Sequence, residues 1–506
     1  MTAETAPPVH RRTVDVALEG RVRRWTVDQH ESRAQLLEAT LASAGEPPPD
    51  AIEPPLRVTY GGVLRVGVLA GADPAIEEVL RRVVLASGAE LVLALRSNDP
   101  RSFVERAAAL REARPDLVLA LVTDRREADG LVDLVEALRM GCADRSPAPR
   151  VVVAGESQST LRLKAAAAGL AVEILPDPRR TDGVVAFAHR AREFRRGTDP
   201  SVVLRDEALE ELARLIAAHG NDALVVDVSG GSTSLVRASA DGSVIAAHVA
   251  SLGLGVAADH TVGRAGLDAV RRWIPWAIDG PTLLERVFNR ARWPDAVAAE
   301  ASALALEIAL AHEALSHALA DAGAAGIAVP LRDAPLTVMT GAAAAFTRAA
   351  HTALVAIDGL ASPKPTTLYR DTDDALVVLG ALASRIRTAG GDPAATVTDE
   401  VARHLVPIAF VVPVLAPAKK SRLRVAGREY TKEPLVSGAF FSVAHRGEVE
   451  VEITGTPLKA KGASGELGVI VDARGRPLVL PPRDAERIPT LVRWFAALDL
   501  AVASAA

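Results

Sequence analysis

At 506 residues the chain exceeds the usual length of a single core, so about two to four domains are expected. Apolar residues make up 49% but aromatics only 3%, so the cores should be aliphatic, and base-stacking platforms are excluded along with the nucleic-acid binding they serve. A net charge of −5 with both signs interspersed gives no single-sign field for nucleic acid, and a lone cysteine, Cys142, permits neither an internal disulfide nor a thiolate cluster.

The start, "MTAETAPPVHRRTVDV", lacks a signal-peptide pattern, and no uncharged apolar run reaches the ~20 residues needed to cross a bilayer. A soluble, cytosolic protein with no membrane contact is expected. Residues 1–56 read as a short hairpin, "TVDVALEGRVRRWTVD", then a helix, then a break at "GEPPPDAIEPP", whose prolines end regular structure. Residues 57–198 alternate wholly apolar runs ("LRVGVLAG", "AELVLAL", "PDLVLALV", "PRVVVAGE", "AVEILPD") with amphipathic helices, the pattern of a parallel sheet covered on both faces. Residues 199–400 open on the helix "DEALEELARLIAAHG". Antiparallel strands, long Ala-rich helices and another apolar strand, "LTVMTGAAAAF", follow. Residues 401–506 alternate with period two and form a separate β-rich module. No repeat of constant period appears.

The most informative stretch is "VVDVSGGSTSL". A strand ending in Asp227 runs into Ser229, Gly230, Gly231, Ser232 and Thr233 and returns from Leu235. Glycines let successive amides face one concavity and hydroxyls add donors, so the loop suits a phosphate. Asp227 suits magnesium held through water. A Gly-rich hairpin with no ligand remains the alternative. Two further turns follow strands: "SLGLG", Ser251 to Gly255, and Thr340-Gly341-Ala342 at the head of a helix.

This ordered set resembles the superfamily of acetate and sugar kinases, heat-shock chaperone ATPases and actins. Within it, the segments "GGVLRVGVLAG" from Gly61, "RPDLVLALVTD" from Arg114, "PRVVVAGE" from Pro149 and "DPSVVLRDEALEELA" from Asp199 are similar to glutamate-mutase accessory proteins of the MutL type, unrelated to the mismatch-repair protein of that name. The resemblance spans roughly residues 57–385 and implies an α/β, actin-like ATPase (ribonuclease H-like) fold. It also implies ATP and magnesium as cofactors and a protein partner, a cobalamin-dependent mutase. On that resemblance Asp227 is the catalytic and metal-holding residue. Ser229, Gly230, Gly231, Ser232 and Thr233 surround the phosphates, Gly253 and Gly255 form the next turn, and Thr340 and Gly341 approach the adenosine.

The departures point to weak or absent hydrolysis. Ser229 stands where the family has glycine, Ser234 where it has a second aspartate, and Gly341 is single where two glycines are expected. The N-terminal phosphate loop keeps Asp15 but lacks its Gly-Ser-Thr turn and lysine. The alternative function is a catalytically dead scaffold of the same fold. A third, a small-molecule kinase, requires an aspartate base that no motif supplies.

Four other signals have bland readings. His312 and His317 in "HEALSH" are five apart, too far around a helix to share a metal, and read as a solvated face. "GLGVAA", Gly253 to Ala258, matches a dinucleotide fingerprint outside its βαβ context. Trp273, Trp276 and Trp293 read as a core staple or a docking surface. Arg474 and Arg476 read as solvated residues at a hairpin tip.

Overall fold

The computed structural model describes residues 10–18, 21–30, 33–43 and 55–500, apart from positions 124, 156, 295, 297, 299, 416, 418–420 and 457. A first lobe begins with β1 His10–Leu18, β2 Arg21–His30, β3 Arg33–Ser43 and β4 Leu56–Thr59. The first three strands form an antiparallel meander, and β4 lies parallel to β1. The helix expected after the hairpin is therefore corrected to a strand. Pairing of Arg33–Ser43 along β2 overrides the local helical propensity of "AQLLEATLA".

An α/β unit follows: β5 Arg65–Ala70, α1 Pro74–Ala86, β6 Glu90–Arg96, α2 Phe103–Ala113, β7 Leu117–Val122, α3 Arg125–Gly141, β8 Arg150–Gly155, α4 Ser157–Ala166, β9 Val172–Leu175 and α5 Thr181–Arg196. Its all-parallel sheet runs β6-β5-β7-β8-β9, with one apolar core on each face, as the uninterrupted apolar strands require. The chain then returns to the first lobe as β10 Val202–Leu204, parallel to β4. The whole unit is thus an insertion between two neighbouring strands of one sheet.

The second lobe comprises α6 Arg205–Ala217, β11 Ala223–Val228, β12 Ser232–Ala238, β13 Val244–Ala250, α7 Ala258–Ala265, α8 Leu267–Arg271, α9 Gly280–Arg292, α10 Ala301–Ala324 and α11 Ala328–Arg332. It continues through β14 Leu336–Thr340, α12 Ala349–Leu360, β15 Thr366–Arg370, α13 Ala375–Thr388 and α14 Pro393–His404. Its strands run β13-β12-β11-β14-β15, and the first lobe runs β3-β2-β1-β4-β10. Each lobe is an antiparallel meander extended from its first strand by two parallel strands. A duplicated order of this kind, without any sequence repeat, is the actin-like ATPase architecture.

The C-terminal region comprises β16 Pro407–Pro413, β17 Arg422–Val425, β18 Arg428–Tyr430, β19 Phe440–Val443, β20 Gly447–Thr454, β21 Leu458–Ser464, β22 Val469–Asp472 and α15 Asp484–Ala496. It contributes a strand-rich sheet of its own, β18-β17-β20-β21, while β16, β22 and β19 prolong the second lobe's sheet beyond β15. The arginines of its "ARG" reversal are corrected from solvated to buried. Arg474 bonds Asp472 at 2.9 Å and Asp358 at 2.5 Å, its guanidinium lying against the Phe440 and Trp494 rings. Arg476 bonds Asp472 at 2.6 Å.

A core shared by both lobes positions the site. Val14, Val16 and Trp25 of the first sheet and Ala223 and Val225 of the second close on α6 and α13 between them. Gly380 lets these helices cross closely, since a Cβ there would run into the Ala208 carbonyl. On the other face of the second sheet lies α10, long and apolar enough by length and composition to span a bilayer yet largely buried here. His312 and Glu313 are part of that core, which corrects the solvated-face reading. The His312 ring lies tilted by 55° against Trp273, and Glu313 accepts from Trp273 Nε1 at 2.6 Å and Arg272 at 2.8 Å. Trp273 is buried and Trp276 half-buried, whereas Trp293 is exposed.

Candidate functional site

Residues alternate along β11: Leu224, Val226 and Val228 enter one core, and Ala223 and Val225 enter the inter-lobe core. Asp227 shares the face of the latter pair and so points at the start of α6. The three turns singled out in the sequence meet around it. Ser229 N donates to Ser232 O at 3.0 Å to close the hairpin. The segment 251–257 folds over the tip, with Leu254 N on Ser229 O at 3.1 Å and Gly255 N and Ala257 N on Gly230 O at 2.9 and 3.1 Å. Thr233 is buried and donates to Leu252 O at 2.9 Å. Gly253 must be glycine, because a Cβ would meet the Gly230 backbone, so "GLGVAA" caps the hairpin rather than opening a βαβ unit. From the far side, Gly341 turns at φ +74°, and a Cβ there would lie 2.5 Å from Ser229 Oγ.

Both oxygens of the Asp227 carboxylate are engaged by the protein itself. Oδ2 accepts from Arg205 Nε at 2.6 Å and Thr340 Oγ1 at 3.0 Å, and Oδ1 accepts from Ser229 Oγ. Arg205, 3% exposed, also reaches Asp374 Oδ1 at 2.9 Å and lies over the Tyr60 ring. Burial works against its charge, but Asp227 and then Asp374 outweigh burial and hold the guanidinium protonated. From the first lobe, Arg23 reaches Asp374 at 3.3 Å and Trp25 Nε1 donates to Asp373 O at 3.1 Å. Asp15 is likewise committed, to a bidentate pair with Arg24 at 2.7 and 2.8 Å. The turn beyond it, Glu19 and Gly20, lies outside the described residues.

Magnesium needs near-octahedral oxygen ligands, and in this arrangement both oxygens of Asp227 are already bonded by protein donors, with a guanidinium on Oδ2. Among the described residues no group of three or more His, Cys, Asp or Glu is placed to hold a metal. Beside Arg205 the lobes enclose a cleft of about 300 Å³. Its walls include Tyr60 and Gly61 of the first lobe, Arg195 and Asp206, and the β12–β13 face bearing Ser232, Ser234 and His248. Arg195 links its surroundings, donating to Asp206 Oδ2, Ser87 O and Tyr60 O at 2.7, 2.9 and 2.7 Å.

No family model and no curated protein matches the chain. Among solved structures it is similar to the ethanolamine utilization protein EutJ from Carboxydothermus hydrogenoformans, at 10% identity over 75% of this chain and 90% of that one, with a TM-score of 0.26. It is similar to the PilM–PilN type IV pilus biogenesis complex at 15% identity, 74% and 99% coverage and a TM-score of 0.25. For a nucleotide-free acetone carboxylase structure the figures are 12%, 74%, 70% and 0.29. The fold assignment rests on the duplicated strand order.

The sequence motifs identified Asp227 and the turns around it but missed Arg205, Arg23, Asp374, Tyr60 and His248. A signal was present in "VVLRDEA", an arginine at a strand-to-helix junction, and in "RDTDD", an acidic turn at the matching junction of the second lobe.

Proposed function

We propose that this chain is an interaction protein of actin-like fold that does not hydrolyse nucleotide. Arg205 does the bridging that a magnesium nucleotide would otherwise do, so the lobes stay closed without a ligand. The observation that carries this reading is the Asp227 carboxylate, with one oxygen taken by Arg205 and Thr340 and the other by Ser229. Phosphoryl transfer depends on donors and metal preorganised around the phosphates. Here the expected metal-holding carboxylate, Asp227, is paired with Arg205, and Asp15, the residue kept from the N-terminal phosphate loop, is paired with Arg24.

Calorimetric titration of the full chain with Mg-ATP and with Mg-ADP is expected to give no heat at millimolar ligand. Saturable heat would overturn the reading and favour the second one, a nucleotide-responsive accessory protein with weak hydrolysis, in which Arg205 swings off Asp227. That alternative is favoured by the hydroxyls of Ser232 and Ser234 on the cleft wall. A cobalamin-dependent mutase is the first partner to test. The argument for it is the order of segments between residues 57 and 385, and co-migration in gel filtration is the readout.

A further inference from the structure

We propose that the outer edge of β21 docks an extended, acidic peptide segment of a partner protein, taken up as a further strand of the sheet β18-β17-β20-β21. β21 is the last strand of that sheet, and the register fixes which of its main-chain groups are free. Ala426 N donates to Glu450 O at 2.9 Å, so the even residues of β20 turn their N–H and C=O toward β17 and the odd ones toward β21. Val449, Val451 and Ile453 lie opposite Gly462, Ala460 and Leu458, which leaves the main-chain groups of Lys459, Lys461 and Ala463 pointing outward. The bond from Ala463 N to Thr367 Oγ1 at 3.1 Å agrees with this direction. Among the described residues the outward groups of Lys459 and Lys461 have no main-chain partner.

This edge borders a groove of about 930 Å³ between β21 and the second lobe. The groove lining includes Pro335, Pro363 and Pro365, which have no N–H to give a strand, so that wall cannot complete a ladder with β21. A smaller hollow of about 520 Å³ shares Lys461 and Pro335 with it and reaches Ala463, so the border runs from Lys459 to Ala463, about 13 Å of extended chain. A peptide main chain brings donors and acceptors at that spacing. Leu415, 56% exposed on the groove lining, offers an apolar contact to one of its side chains. The larger hollow is lined by four cations and two carboxylates. Arg237 and Lys364 are paired with Asp222 and Asp333, whereas Lys459 and Lys461 share one carboxylate, Glu450, at 2.7 and 3.5 Å. Glu448 and Glu450 line the smaller hollow, so the acidic residue of the segment belongs at the Lys459 end. A second copy of β21 would set its own lysines against these. The inference goes beyond the closed-lobe reading and does not rest on it.

The test is selection of random heptapeptides, displayed on phage, on the full chain. Enrichment of acidic sequences with alternating β-branched residues is expected. The synthetic peptide should bind about tenfold or more weakly to Lys461→Pro, read by fluorescence anisotropy, because that variant deletes one outward N–H at an edge position where proline is tolerated. N-methylation of one alternate set of the peptide's amides should abolish binding, and of the other set leave it. Should Lys461→Pro misfold by circular dichroism, the charge reversal Lys459→Glu/Lys461→Glu keeps the main-chain groups and should weaken the acidic peptide by a similar factor. No enrichment, equal binding of both N-methylated forms, or undiminished binding to a folded variant would overturn the proposal. None of these results bears on the arginine bridge, which the Mg-ATP titration decides.

Discussion

Replacing Arg205 by methionine keeps the apolar stem of the side chain and deletes its charged head. Two ion pairs near 3 Å are lost, to Asp227 at 2.6 Å and Asp374 at 2.9 Å. At an effective dielectric of about 20 each is worth roughly 5 kcal/mol before desolvation is counted. Releasing the guanidinium from burial returns much of that, so the expected net loss is about 3–5 kcal/mol, the usual result of stranding one member of a buried pair. Asp374 retains Arg23, so most of the penalty falls on Asp227. The assay is urea unfolding followed by far-UV circular dichroism, with small-angle scattering on the folded protein to register lobe separation. The double variant Arg205→Met/Asp227→Asn removes the stranded charge while keeping a carbonyl oxygen for one of the Ser229 and Thr340 hydroxyls and an amide N–H for the other to accept, and should recover at least about half the loss. A single variant costing under about 1 kcal/mol, as for a surface arginine, or a double variant no better than the single, would refute the bridge.

Gly341→Ala should destabilise by about 1–3 kcal/mol in the same unfolding assay, because the position sits at φ +74° and the new methyl meets Ser229 Oγ at 2.5 Å. His351 is pushed down by burial to about 4 from its ordinary 6.5, with Arg348 acting the same way. Protons then bind the unfolded chain first, so stability should be full above pH 6.5 and fall by up to about 3 kcal/mol as pH drops to 4; urea midpoints against pH should flatten in His351→Leu. Arg474→Lys loses the fork that bonds Asp472 and Asp358 and the flat contact with Phe440, and should lower stability by about 3 kcal/mol, read by thermal unfolding.

Burial and periodicity were legible in the residues. The apolar runs between Arg65 and Leu175 became a parallel sheet because nothing but helices can cover two apolar faces. The hairpin at Asp227 followed from its glycines and alternating strands. Charge partners were not legible, since Arg205 and Asp374 are 169 positions apart and only the closed fold brings them together. The same limit explains "HEALSH" and the "ARG" reversal: a charged residue reads as solvated until a distant partner, Trp273 for Glu313 or Asp358 for Arg474, is seen to bury it. The strand at Arg33–Ser43 was missed for a related reason, because its pairing with β2 is tertiary information.

The inserted α/β unit does more than hang from the first lobe. Helix α1 lies along β13, Leu85 enters the second lobe's core, and Arg82 donates to Ala325 O at 3.2 Å. It therefore ties the second lobe to the first, and a hollow of about 360 Å³ lies along that seam. Any movement of one lobe against the other therefore has to part this seam as well as the arginine bridge.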